Sequence, residues 1–150
     1  MDNFSNTAST RSVGQRMIDV LAASDAVRSS VAYASALGAA VNVAVVDVSG
    51  VLVAFLRMPG APLHSIDIAI DKAYTAASFG LATSQWHGAL QSHSEAVREG
   101  IVLRPRFVAF GGGLPILEQG LRIGGIGVSG GTEHEDEAIA QAGLKAIGLV

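Results

Sequence analysis

The apolar positions of this chain fall into stretches with two different periods. Over residues 11–37, Val13, Met17, Val20, Leu21, Val27, Val31, Ala34 and Leu37 recur at helical spacing, which predicts one helix with a single buried stripe, stopped by Gly38. Residues 41–47 are a nearly unbroken β-branched run, Val48-Ser49-Gly50 supplies turn chemistry, and residues 51–57 form a second run, so the pair reads as an antiparallel hairpin. Both faces of the first run are apolar, which places it inside a sheet covered on both sides. Met58-Pro59-Gly60-Ala61-Pro62 then breaks the sheet.

Helical spacing returns over residues 63–79, where Ile66, Ala69, Ile70, Ala73 and Ala77 form a stripe of mostly small side chains. Small residues let backbones approach closely, so this helix should pack tightly against a sheet or a second copy. Gly80 ends it, and residues 84–98 read as a more polar helical piece. Short strands at 107–110 and 114–117 flank a triple glycine, a longer strand covers 121–129, and residues 132–147 close the chain as a helix. The sum is an α+β domain, a central and largely antiparallel sheet of about five strands flanked by helices.

Length and composition narrow the picture. At 150 residues the chain is one domain over 11–150, with residues 1–10 a polar, flexible lead-in. Charged residues are 15% of the chain and apolar residues 49%, a balance that predicts surface hidden in a homo-oligomer. A net charge of -3 with no Lys/Arg cluster argues against nucleic acid and against an anionic membrane surface, which leaves small molecules or protein partners. There is no cysteine, so disulfides, thiolate metal sites and thiol nucleophiles are excluded. With no basic and apolar leader and no membrane-length apolar run, a cytoplasmic location is expected.

Several residue groups could carry chemistry. Gly125-x-Gly127-x-x-Gly130 has the spacing of a dinucleotide fingerprint, but its glycines lie within a strand and no second strand follows, so close backbone approach is the better reading. Thr132-Glu133-His134-Glu135 has the form of a capping box, and Glu133, Asp136 and Glu137 suit a helix start. His134 with Glu137, one turn on, is the acid/base or metal-binding alternative there. His64, Asp67 and Asp71 fall on one helix face, a pattern that usually means a hydrated surface. Lys72, set among alanines and followed by Thr75, is either buried in an ion pair or poised as an electrophilic anchor. Arg57, beside the Pro-Gly-Ala-Pro loop, is a candidate carboxylate clamp. Trp86 is an interface anchor or a stacking wall for a planar ligand, while His87 and His93 point to different faces of any helix.

Taken together, V-A-V-V-D-V-S-G-V-L-V-A-F-L-R-M-P-G-A-P-L-H-S-I-D-I-A-I-D-K-A-Y-T-A-A-S-F-G, G-G-G-L-P-I and G-G-I-G-V-S-G-G-T resemble the GlcG/HbpS family over roughly residues 12–148. The resemblance implies a profilin-like domain assembled into symmetric oligomers, commonly octamers, with members that bind or degrade haem and others in catabolic operons. Arg57, Lys72, Thr75, Gly130, Gly131, Thr132 and Asp136 match the family's motifs. The chain departs from the branch whose first helix carries a haem-ligating histidine, since no histidine precedes His64. Haem iron would then need His64 or His134, or else His87, His93, Met58 or Tyr74. Residues 86–106 depart as well, and a changed loop on a shared scaffold is where ligand choice changes.

Three functional expectations follow. The first is a cytoplasmic small-ligand-binding protein, with haem as the cofactor, its flat pocket floored by backbone around Gly112, Gly130 and Gly131 and walled by the helix with Thr75. The second is a cofactor-independent isomerase, lyase or hydrolase, in which Arg57 and Lys72 hold a carboxylated substrate and His64 or Glu133 moves protons. The third is an accessory subunit of a larger assembly.

Overall fold

The computed structural model describes residues 11–150; the lead-in of residues 1–10 lies outside the described residues. Its elements are α1 (Val20–Leu37), β1 (Asn42–Asp47), β2 (Leu52–Arg57), α2 (Ser65–Phe79), a 3-10 turn (Thr83–Gln85), α3 (Trp86–Leu90), α4 (Glu95–Ile101), β3 (Gly113–Glu118), β4 (Leu121–Ser129) and α5 (Glu133–Ala146). The four strands form one antiparallel sheet in the order β2-β1-β4-β3. The fold is α+β, as its alternating periods require.

β1 lies between β2 and β4, and every residue but Asp47 is buried. Its alternating side chains feed two cores. On one face Val43 and Val45 join Ile126, Val128, Ile139 and Leu144 under α1 and α5. On the other, Ala44 and Val46 meet Ala69, Ala73 and Ala77 of α2. Small residues on both sides let α2 lie almost on the sheet. A Cβ at Gly125 would stand 2.9 Å from the Ala77 amide nitrogen, and one at Gly127 would stand 2.5 Å from that of Ala73. The glycine spacing of β4 therefore serves helix-to-sheet contact, and a side chain at either position would lift α2 away from the sheet.

Three boundaries differ from the sequence expectation. α1 begins at Val20 rather than near residue 11, because the Asp19 carboxylate caps it by accepting from the amides of Leu21 (2.9 Å) and Ala22 (3.2 Å). Ahead of the cap, the Ile18 amide donates to the Ile123 carbonyl (2.9 Å), so this segment runs as a strap along β4. The polar stretch after Gly80 is not one helix but short turns, and Ser94 starts α4 by accepting from the Val97 amide (3.3 Å). Residues 107–110 make no strand, which leaves four where about five were expected. Side-chain chemistry takes the place of a ladder there: the Val108 amide donates to Thr75 Oγ1 (3.1 Å).

Among the described residues no helix is long and apolar enough to cross a membrane, and no group of three or more His, Cys, Asp or Glu residues could hold a metal ion.

Candidate functional site

Most of the residues singled out by sequence meet in a polar knot at the start of β3. Lys72 leaves the buried face of α2 with only 1% of its surface exposed, and its ammonium donates to the Val128 carbonyl (2.8 Å) and to Asp136 Oδ2 (3.0 Å). Asp136 sits in the first turn of α5, on the opposite side of the sheet from α2, and its Oδ1 accepts from the Gly131 amide (2.9 Å). The pair therefore stitches the two helical layers together past the sheet edge. Gly112 makes the passage: it has φ 128, and a Cβ there would stand 2.7 Å from the Lys72 ammonium. Phe110 lies below the cation, 5.0 Å from ring centre to nitrogen.

The rest of the knot is helix capping. Thr132 accepts from the Glu135 amide (3.2 Å) while the Glu135 carboxylate accepts from the Thr132 amide (3.1 Å), a complete capping box. These bonds hold the Glu135 carboxyl below the usual range. Glu133 Oε1 accepts from the Gly111 amide (2.7 Å), and Ser84 donates to Glu137 (2.8 Å). Burial pushes the Lys72 ammonium below the ordinary lysine range and Asp136 above the ordinary aspartate range, and in each the partner's charge pulls back. Lys72, Glu133, Gly112, Gly130, Gly131 and Thr132 thus cluster, but around one another.

Arg57, His64 and His134 stand apart from the knot. Arg57 faces Asn42 across β2 and β1, and Asn42 faces Ser129 on β4, so Arg57 and the Gly130-Gly131-Thr132 turn occupy the same end of the sheet. Its guanidinium donates to the carbonyls of Ala61 (2.8 Å) and Met58 (3.3 Å), holding its own loop. His64 is exposed just before α2, two turns or about 12 Å of helix from Lys72, and His134 is exposed in the first turn of α5.

Along the second half of α2 the chemistry opens outward. Thr75 Oγ1 donates to the Arg106 carbonyl (2.9 Å) and accepts from Val108, which pins residues 106–108 beside the helix. Arg106, with φ 67, donates to Asp71 (3.0 Å) and lays its guanidinium 3.6 Å over the Tyr74 ring. Phe79, Trp86 and Phe107 pack edge to face, with centroids at 4.8 and 6.1 Å. Between these parts lies a groove of about 240 Å³, its walls including Tyr74, Thr75, Phe79, Ile101, Arg104 and Phe107. Trp86, buried beneath, leaves its ring N–H without a partner. Sequence reasoning marked Thr75, Trp86, Tyr74 as an alternative iron ligand, and the departing segment that holds Arg104, but missed Phe79 and Phe107. Their signal was the apolar-and-cationic run Arg104-Pro105-Arg106-Phe107, whose place beside α2 no local period reveals.

An apolar floor with two arginines suits a planar acid carrying carboxylates. For haem the fit is partial. Tyr74 is a lining residue of a type that serves as an axial ligand, and among the described residues no histidine or methionine lines the groove. At about 240 Å³ the groove is smaller than most ligand sites, so one copy of the chain encloses only part of such a ligand.

Comparison with known proteins places this geometry. Residues 18–145 match the family described as haem degrading protein HbpS-like. The corrinoid adenosyltransferase PduO of Citrobacter freundii is 34% identical over 122 residues, which are 81% of this chain and 36% of PduO, so the chain spans little more than a third of that relative. Among solved structures, protein ORFY of Klebsiella pneumoniae superposes with a TM-score of 0.85 at 30% identity, covering 94% of this chain and 97% of that one. A PduOC–haem complex superposes with a TM-score of 0.81 at 32% identity, covering 89% and 97%.

Proposed function

Because the chain belongs to the family of haem-degrading, HbpS-like proteins, we propose that it binds a small planar ligand bearing carboxylates, with haem the first candidate, in the groove beside α2. The observation that carries this reading is the joining of an aromatic floor at Phe79 and Phe107 to Arg104, whose side chain has no partner among the described residues, in a chain similar to one solved with haem. Arg104 and Arg106 would meet the carboxylates, Phe107 would lie against the apolar body, and Tyr74 would supply the oxygen nearest the iron. Bound haem would bring one-electron and dioxygen chemistry. A second copy would close the open side of the groove in a homo-oligomer, of the octameric size that the family resemblance implies, and Leu52 and Leu56, exposed on edge strand β2, offer a separate contact surface between copies. Lys72, Glu133, Gly112, Gly130, Gly131 and Thr132 hold the scaffold, and His64 and His134 reach a ligand only across an interface between copies.

Haemin added to the purified protein should give a shifted Soret band that saturates at equimolar ratio. Phe107→Ala should weaken that binding about tenfold or more, and Tyr74→Phe should alter the spectrum. An unshifted band at equimolar protein counts against haem, and a monomeric mass by light scattering counts against the shared groove.

A further inference from the structure

Tyr74 has a second cavity on its other side. It holds about 250 Å³ and is bounded by Gln15, Ser49, Gly50, Tyr74, Ser78 and Arg122 among others, so Tyr74 and Ser78 belong to both hollows. Segments distant in sequence build it: the strap ahead of α1, the β1–β2 turn, the end of α2 and the start of β4. Two glycines let these walls close. A Cβ at Gly50 would stand 2.8 Å from the Tyr74 ring, and one at Gly80 would collide with the Arg122 guanidinium. The turn is held by Asp47, whose Oδ1 accepts from the amides of Ser49 (2.8 Å) and Val51 (3.2 Å).

What converges there is a set of donors without acceptors. The Arg122 guanidinium forms no ion pair or side-chain hydrogen bond among the described residues, and neither do the hydroxyls of Ser49 and Ser78 or the Gln15 amide. Asp47, the neighbouring carboxylate, already accepts two backbone amides. A forked cation flanked by hydroxyls matches a carboxylate in both shape and charge. We propose that this cup binds the carboxylate of a small apolar organic acid, with Arg122 forming the fork, Ser49 and Ser78 donating to its oxygens, and the apolar body lying against Tyr74. The inference deepens the small-ligand reading but stands on Arg122, outside the Phe107 groove. Arg122 also lies at the C-terminal end of α2, where a cation suits the helix dipole, so binding and stability must be read separately.

The full chain, labelled with nitrogen-15, would be titrated with benzoate and in parallel with chloride and inorganic phosphate. Benzoate should saturably shift the amides of Gly50, Ser78 and Gly80, more tightly than either inorganic anion. Arg122→Gln should weaken it ten- to about a hundredfold, while Arg28→Gln, which removes the same charge from α1, should keep wild-type affinity. A melting curve checks that Arg122→Gln remains folded, and Ser78→Ala gives a milder second variant with a smaller loss of the same sign. No response up to on the order of tens of millimolar benzoate, equal affinity for chloride, or unchanged affinity in both variants overturns the proposal. Benzoate binding by a protein that ignores haemin supports the cup and counts against haem.

Discussion

The two halves of α2 treat polar groups in opposite ways. Near its middle, Lys72 reaches a carbonyl and a carboxylate, and Asp136 is met by Lys72 and the Gly131 amide, all out of water. A turn later, Arg104 and Arg122 have no side-chain partner among the described residues, and the Trp86 ring N–H is unmatched there too. A closed polar set rigidifies a fold, whereas an open one is what a ligand can complete. Residues that look most chemical in the sequence, the lysine and the acidic cluster, belong to the closed set.

The contrast can be broken hardest at the ion pair. Lys72→Ala should leave the Asp136 carboxylate buried and unmatched and destabilise the fold by about 3–5 kcal/mol, read by denaturant unfolding. Replacing both together, Lys72→Met with Asp136→Leu, should cost far less, because no charge is stranded. If the single and double variants lose the same stability, the pair is not a closed unit.

Next in size is a pH effect with a definite sign. Burial raises the Asp136 carboxyl, opposed by Lys72 and the amides of Gly131 and Gly130. Between the ordinary aspartate range and that raised value, the folded chain keeps a proton that the unfolded chain has released. The contribution of Asp136 is therefore fullest below the ordinary range and declines as pH rises through the raised value. Stability of the wild type relative to the uncharged double variant should fall across that window, and a rising difference would contradict it. The smallest effect is at the cap: Thr132→Ala should cost about 1 kcal/mol in the same unfolding assay and leave haemin and benzoate binding unchanged.

The closed set was the more legible of the two because its signals are local. Thr132 and Glu135 are three residues apart, and the capping box follows from that spacing alone. Lys72 among alanines read as either a buried ion-pair partner or an electrophilic anchor, and its partner Asp136, 64 positions away, could not be named from the sequence. The hairpin and the small-residue stripe were likewise written in short periods. α1 was overextended because Val13 and Met17 fall in phase with its stripe, yet they are 94% and 55% exposed on a strap that Asp19 separates from the helix. The groove and the cup escaped because each gathers side chains from several segments, and Tyr74 joins them only through contacts with Arg106 and Gly50 that no spacing encodes.

The path of Lys72 past Gly112 bears on how anything enters the molecule. One side chain spans from the helix on one side of the sheet to the helix on the other, so prying the layers apart would expose both charges at once. A guest of the proposed groove or cup would be received along the flank of α2, with the interior shut as it comes and goes.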